Sequence, residues 1–120
     1  MIKFEMKEIR EAIAYSNRFG QALHMHTINT GHRLFKRYPV IGHLFDLDKD
    51  RLIRTATKLG VRVIKIEYEG TARQHIDLCG KPFDRAVAEA EPYIPCHLIP
   101  HLYDKDGLCL HCGHVKVPNE

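Results

Sequence analysis

Histidine and cysteine gather toward the C-terminal end of this 120-residue chain. Residues 96–114 hold Cys96, His97, His101, Cys109, His111, Cys112 and His114. Within them, Cys109-Leu110-His111-Cys112-Gly113-His114 has the form of a zinc knuckle. Two thiolates separated by two residues reach one ion from a tight turn, and Gly113 lets backbone amides approach the sulfurs. Zinc closes a tetrahedron of four Cys or His ligands, so a second pair is required. Cys96 and His101 are the natural pair, which gives Cys96, His101, Cys109 and Cys112 as the expected set. His97 could replace His101, and His114 could replace Cys96. A closed set with two or three thiolates leaves no position for water, so it supplies folding energy rather than catalysis.

A second constellation lies earlier in the chain. His43 follows Ile41-Gly42 at the expected end of a strand, and His75-Ile76-Asp77 follows a turn at Gly70. The i, i+2 spacing of His75 and Asp77 sets an imidazole beside a carboxylate on one face of a strand. Such a pair serves as a base with its orienting partner, or as two ligands of a divalent ion. His43, His75 and Asp77 are therefore the candidate catalytic groups, with His24 or His26 assisting. Taken singly, each of these histidines reads first as a satisfied structural residue.

The elements that must position these groups follow from periodicity. Residues from about Lys3 to Phe19 read as a helix, with Met6, Ile9 and Ile13 at helical spacing and Gly20 at its end. Leu23, Met25 and Thr27 alternate, so a short strand there sets His24 and His26 together on the opposite face. Val40 to Phe45 suits a buried strand. Asp48 caps a helix from about Lys49 to Leu59, with Leu47 and Leu52 as a hydrophobic staple, a buried stripe of Leu52, Ile53, Ala56 and Leu59, and Gly60 as its stop. Val61 to Glu69 alternates and is rich in β-branched residues, which predicts a second strand and hence a parallel βαβ unit. A further helix is expected from Pro82 to Glu91, and Pro92, Pro95 and Pro100 make residues 92–102 an extended connection.

The expected fold is α/β: a small sheet with a βαβ unit packed by about three helices, followed by a zinc-bound segment. Residues 1–91 form the α/β domain and residues 92–120 the zinc-binding segment packed on it. With 44% apolar and 28% charged residues the chain is globular rather than disordered. It has no run of about 18 apolar residues to span a membrane. Met1 to Glu8 meets charge too early for a secretory signal, so a cytoplasmic protein is expected, where the four cysteines are not expected to form disulfides. Cys79, outside the cluster, reads as a buried small hydrophobe.

The net charge of +3 is uneven. Residues 1–80 carry an excess of five positive charges and residues 81–120 an excess of two negative ones. Any polyanion-binding face therefore belongs to the N-terminal two-thirds. Its candidate contacts are Arg33, Lys36 and Arg37, with Phe35 and Tyr38 interleaved to stack on bases. An ordinary solvated surface accounts for the same residues.

Gly42-His43-Leu44, the helix end Ala56-Thr57-Lys58-Leu59-Gly60, His75-Ile76-Asp77 and Arg85-Ala86-Val87-Ala88 resemble, at comparable spacing, the small bacterial and phage domain catalogued as domain of unknown function 4031. The resemblance covers about residues 42–90. The family tends to carry an Asp four residues after its first His, where this chain has Leu47 between Asp46 and Asp48, and a Tyr where this chain has Ile76. Its usual Tyr-Val-Asp-Asp-like opening strand has no counterpart in residues 1–40. The resemblance implies a fold, candidate positions and a phage or prophage origin; it implies no reaction.

Together these features favour a non-catalytic zinc-binding module for nucleic acid or for a host or phage protein. The alternative is a metal-dependent hydrolase or nuclease using His43, His75 and Asp77. No nucleophile elbow, phosphate-binding glycine loop or His-Glu-x-x-His is present.

Overall fold

The computed structural model describes residues 1–27 and 40–93. Along them run β1 (Ile2–Phe4), a single 3-10 turn (Met6–Glu8), α1 (Ile9–Arg18), β2 (Ala22–Thr27), β3 (Val40–Phe45), α2 (Lys49–Leu59), β4 (Ile66–Glu67), β5 (His75–Leu78), α3 (Gly80–Glu89) and β6 (Glu91–Pro92). The strands form one mixed sheet in the order β4-β5-β3-β2-β1-β6. This is the expected α/β architecture with three helices.

The βαβ unit is not where the sequence placed it. β1 and β2 lie side by side and parallel, joined through α1, with Ile2 opposite Ala22 and Phe4 opposite His24. The expected unit spans β3, α2 and β4. There β5 lies between the two strands and is antiparallel to both, so β3 and β4 share a direction without touching. Only Ile66 and Glu67 of the alternating stretch 61–69 pair, and Val63 is 82% exposed. β5 takes the inner place because Ile76 and Leu78 are both buried in the core, which β4 is too short to fill.

The expected helix from Lys3 is shorter than its periodicity suggested. Ile2 and Phe4 alternate as well as they repeat helically, and a strand buries Phe4 completely against Tyr15 and Tyr93. Glu5 then turns the chain: its N–H donates to the Glu8 carboxylate at 2.8 Å. This supplies the partner that a helix start otherwise lacks.

α2 matches its expected bounds. The Asp48 side chain accepts from the Arg51 N–H at 3.0 Å, and Gly60 ends the helix at φ +100°, in the left-handed region. Leu52, Ala56 and Leu59 are buried, Ile53 is half-buried, and Leu47, expected to staple over Leu52, is instead 45% exposed. Asp46, fully buried, receives two hydrogen bonds at 2.7 Å from the Arg51 guanidinium and one at 2.9 Å from the Asp48 N–H. This fork ties the end of β3 to the first turn of α2.

α3 starts at Gly80, two residues before the expected Pro82, and stops at Glu89. Cys79 occupies the position before its first turn and is exposed, which corrects the expectation of a buried thiol. The chain then runs straight into β6, where Glu91 donates to the Met1 carbonyl and Tyr93 to that of Lys3. Glu91 and Pro92 thus belong to the sheet of the α/β domain. Pro92 stands at its edge, where a missing N–H is tolerated.

The sheet has two unlike faces. One carries Leu23, Leu44, Ile76 and Leu78, covered by Leu52, Ala56 and Leu59 of α2 and Ala86 of α3. Phe83 comes so close that a Cβ on Gly42 would stand 2.9 Å from its ring. On the other face α1 sets Ala12 against Phe4, Ala22 and Phe45. Beside this cluster the same face carries histidines and a carboxylate.

Candidate metal centre

The polar part of the sheet is built by strand alternation and register together. On β2, Ala22, His24 and His26 share a face; on β3, Ile41, His43 and Phe45; on β5, His75 and Asp77. Antiparallel pairing sets His24 opposite His43, His43 opposite Asp77, and Phe45 opposite His75. Residues opposite one another in such a ladder point to the same side. From β2, β3 and β5, four imidazoles and one carboxylate therefore collect on the α1 side of the sheet, and Glu67 of β4 faces that side opposite His75.

His43, His75 and Asp77 converge. Nδ1 of His43 lies 2.6 Å from Oδ1 of Asp77, and Nε2 of His75 lies 3.2 Å from the same oxygen. The two rings stand edge to face with centroids 4.8 Å apart. His75 is buried, His43 half-buried and Asp77 exposed on one side. The three offer ligand atoms that all lie within 4.8 Å of one another, so the group can hold a metal ion.

The surroundings fit that use. The Nδ1–H of His75 donates to the Arg73 carbonyl at 2.7 Å, which fixes the ring and leaves Nε2 to face Asp77. A carbonyl holding the far nitrogen is the usual outer support of a metal-binding imidazole. Burial acts to raise the Asp77 carboxyl, but hydrogen bonds from His43 and His75 outweigh it and hold the group well below the usual carboxylate range. Burial acts to lower His75, and its bonds to Asp77 and to the Arg73 carbonyl reverse the sign, so it titrates above an ordinary imidazole. Two imidazoles and a carboxylate form a donor set for zinc and for the other first-row divalent ions. Three protein ligands leave a coordination position for water or substrate.

His24 and His26 extend the group without joining it. The His24 ring is stacked on His43 with centroids 5.7 Å apart, and that of His26 is 5.3 Å from His43. His24 is 2% exposed and donates from Nε2 to the Met6 carbonyl at 2.8 Å, while its buried Nδ1 has no hydrogen-bond partner. Burial, together with the neighbouring imidazoles, holds its titration below that of a free histidine, against the pull of the Met6 carbonyl.

An open cleft of about 500 Å³ leads to this floor between α1 and the turn joining β4 to β5. His43, Phe45 and His75 form its base, Ile9, Arg10 and Ile13 one wall, and Tyr68 and Arg73 the other. Sequence reasoning missed these walls. Tyr68 was expected inside a strand, but it sits in a turn at φ +51° and is 62% exposed. The one signal was Glu69-Gly70 directly after it.

Asp46 and Asp48, which flank Leu47 where the resembled family tends to carry an Asp, serve the start of α2 and not the metal group. The expected zinc ligands Cys96, His101, Cys109 and Cys112, their substitutes His97 and His114, and the basic residues Arg33, Lys36 and Arg37 lie outside the described residues. No helix among the described residues is long and apolar enough to cross a membrane. Comparison of the chain with protein-family models, with curated proteins and with solved structures finds no match in any of the three.

Proposed function

We propose that this protein is a metal-dependent hydrolase of phosphoesters, with His43, His75 and Asp77 as ligands of one catalytic zinc or related divalent ion. The observation that carries the reading is the convergence of two imidazoles on one carboxylate oxygen at the base of an open cleft. A divalent ion bound there supplies Lewis acidity and lowers the pKa of a bound water. The chain's own contribution is to fix the ligands: the Arg73 carbonyl orients His75, and β3–β5 pairing holds His43 against Asp77. His24 and His26 stand beside His43 as further imidazoles. The resemblance to domain of unknown function 4031 supports the same positions and a bacterial or phage setting.

The second reading is a non-catalytic binding module for nucleic acid or a protein partner. Its support is in the sequence: the Cys109/Cys112 knuckle, completed by Cys96 and His101 as a structural zinc site, and the Arg33, Lys36 and Arg37 cluster. Elemental analysis of protein purified without a metal-affinity tag separates the two, read together with turnover of bis(p-nitrophenyl) phosphate. The hydrolase reading expects Asp77→Asn to lose one ion per chain and turnover while its circular dichroism is unchanged. Full metal content and turnover in Asp77→Asn and His43→Gln would overturn it. Binding of nucleic acid that weakens with salt, and is abolished by neutralising Arg33, Lys36 and Arg37 together, favours the module.

A further inference from the structure

The cleft offers more than an approach to the metal group, because its walls divide by chemistry. Arg10 and Arg73 both line it, and neither side chain has an ion-pair partner among the described residues. Among the described residues, no carboxylate lines it. Glu67 faces the same side of the sheet, opposite His75, and its charge is engaged by Lys65 at 3.2 Å. Two unpaired guanidiniums beside a metal group select a phosphoryl anion, for which their planar forks are suited.

The remaining surface is apolar and aromatic. Ile9, Ile13 and Phe45 lie along the base and one wall. Tyr68 forms the opposite edge, its ring tilted 27° to that of His75 with centroids 6.0 Å apart. A tyrosine that is 62% exposed and held at φ +51° is uncommon, since that backbone region disfavours a bulky side chain. The turn presents its ring to solvent at the rim of the cleft. A flat π-face at such a rim suits stacking by a planar ring. The volume lies within the about 300–1,000 Å³ of ordinary small-ligand clefts.

We propose that this cleft is a nucleoside-phosphate subsite, in which the base stacks on Tyr68 and the phosphate is held by Arg10 and Arg73 over the metal group. The proposal rests on the phosphoester reading above and names its substrate class. Free nucleotides and the 5′-phosphorylated ends of single-stranded nucleic acid share this chemistry.

Calorimetric titration of the full chain tests it, with adenosine 5′-monophosphate, ribose 5-phosphate and 5′-phosphorylated hexathymidylate as probes. Each is run on zinc-loaded protein and in the presence of a chelator. The nucleotide is expected to bind about tenfold or more tightly than ribose 5-phosphate in at least one of the two conditions. Tyr68→Ala is expected to erase that preference, Tyr68→Phe to keep it, and the Arg10→Gln, Arg73→Gln double variant to weaken both phosphates. Tighter binding of the oligomer than of the mononucleotide assigns the subsite to nucleic-acid ends, and the reverse assigns it to free nucleotides. Equal affinity for nucleotide and sugar phosphate in both conditions, or a preference untouched by Tyr68→Ala, overturns the proposal. Failure of the metal reading shows separately, as protein without bound ion that still prefers the nucleotide.

Discussion

His43 and Asp77 are register partners on neighbouring antiparallel strands, and their side chains meet with 2.6 Å between Nδ1 and Oδ1. The pair is made by the sheet itself, since each residue is held by the backbone ladder before its side chain is considered. The ligand atoms of His43, His75 and Asp77 all lie within 4.8 Å of one another, so an ion there would replace the hydrogen bond of this pair and leave the strand pairing as it is.

Asp77→Asn should therefore lower zinc affinity by more than about 100-fold, beyond the about 10–100-fold typical of changes in the outer support. His26→Ala removes a ring that neighbours His43 without sharing the carboxylate, and its affinity should stay within about tenfold of the parent. Competition titration against a chromophoric chelator measures both. Equal losses in the two variants would mean that the ion sits elsewhere among the histidines.

Gly42 adjoins His43 on β3, and an added Cβ would lie 2.7 Å from Leu23 Cδ1 and 2.9 Å from the Phe83 ring. Gly42→Ala should cost about 1–3 kcal/mol as an overpacked core position. Urea unfolding reads that cost. Because the strain falls on the strand that carries His43, zinc affinity should fall with it. A stable variant would show that α3 can shift away from the sheet.

Asp46 carries an acid-sensitive part of the fold. Burial acts to raise its carboxyl, but the hydrogen bonds from Arg51 and the Asp48 N–H prevail and hold it below its ordinary value of 3.8. A group depressed in the folded state contributes stability above its unfolded pKa and loses it as pH falls through the folded one. Acid unfolding should thus steepen below about pH 4. Asp46→Asn should flatten that limb and cost about 1–3 kcal/mol at neutral pH, the smaller range applying because Arg51 remains half-hydrated. Thermal melts across pH 2–7 provide the measurement.

Two histidines should give metal-free protein a stability maximum near their common ordinary value of 6.5. His24 titrates lower when folded, so the unfolded chain takes up its proton first and stability falls as pH drops below 6.5. His75 titrates higher when folded, so its contribution is complete below 6.5 and is lost as pH rises through the folded value. His24→Phe should remove the acid-side slope and leave the alkaline one. Melting temperature followed from pH 5 to 8 in the presence of a chelator would show whether the two slopes separate.

Much of the frame was legible because its signals are local. Asp48 and Gly60 bracket α2, and the alternation of Leu23, Met25 and Thr27 does set His24 and His26 on one face. The spacing of His75 and Asp77 likewise needed only a strand. β1 was hidden because Ile2 and Phe4 satisfy a strand pattern while leading into a helical one, and three residues are too few to decide between them. His43 and Asp77 were grouped by residue type alone; their direct pairing spans 34 positions and depends on β5 entering between β3 and β4. Tyr68 and Arg73 escaped notice because a turn gives a side chain its direction through backbone angles that periodicity does not encode.

The insertion of β5 would also make an ion held by His43, His75 and Asp77 a check on folding. A slip of β5 by one residue against β3 would turn His75 and Asp77 toward Leu52 and Leu59, and Ile76 and Leu78 out toward the cleft. That arrangement buries a carboxylate among aliphatic side chains and has no ligand set. An ion that bound only the correctly paired sheet would withdraw those chains from the misaligned pool, so occupancy of the centre would proofread the alignment of the strand that creates it.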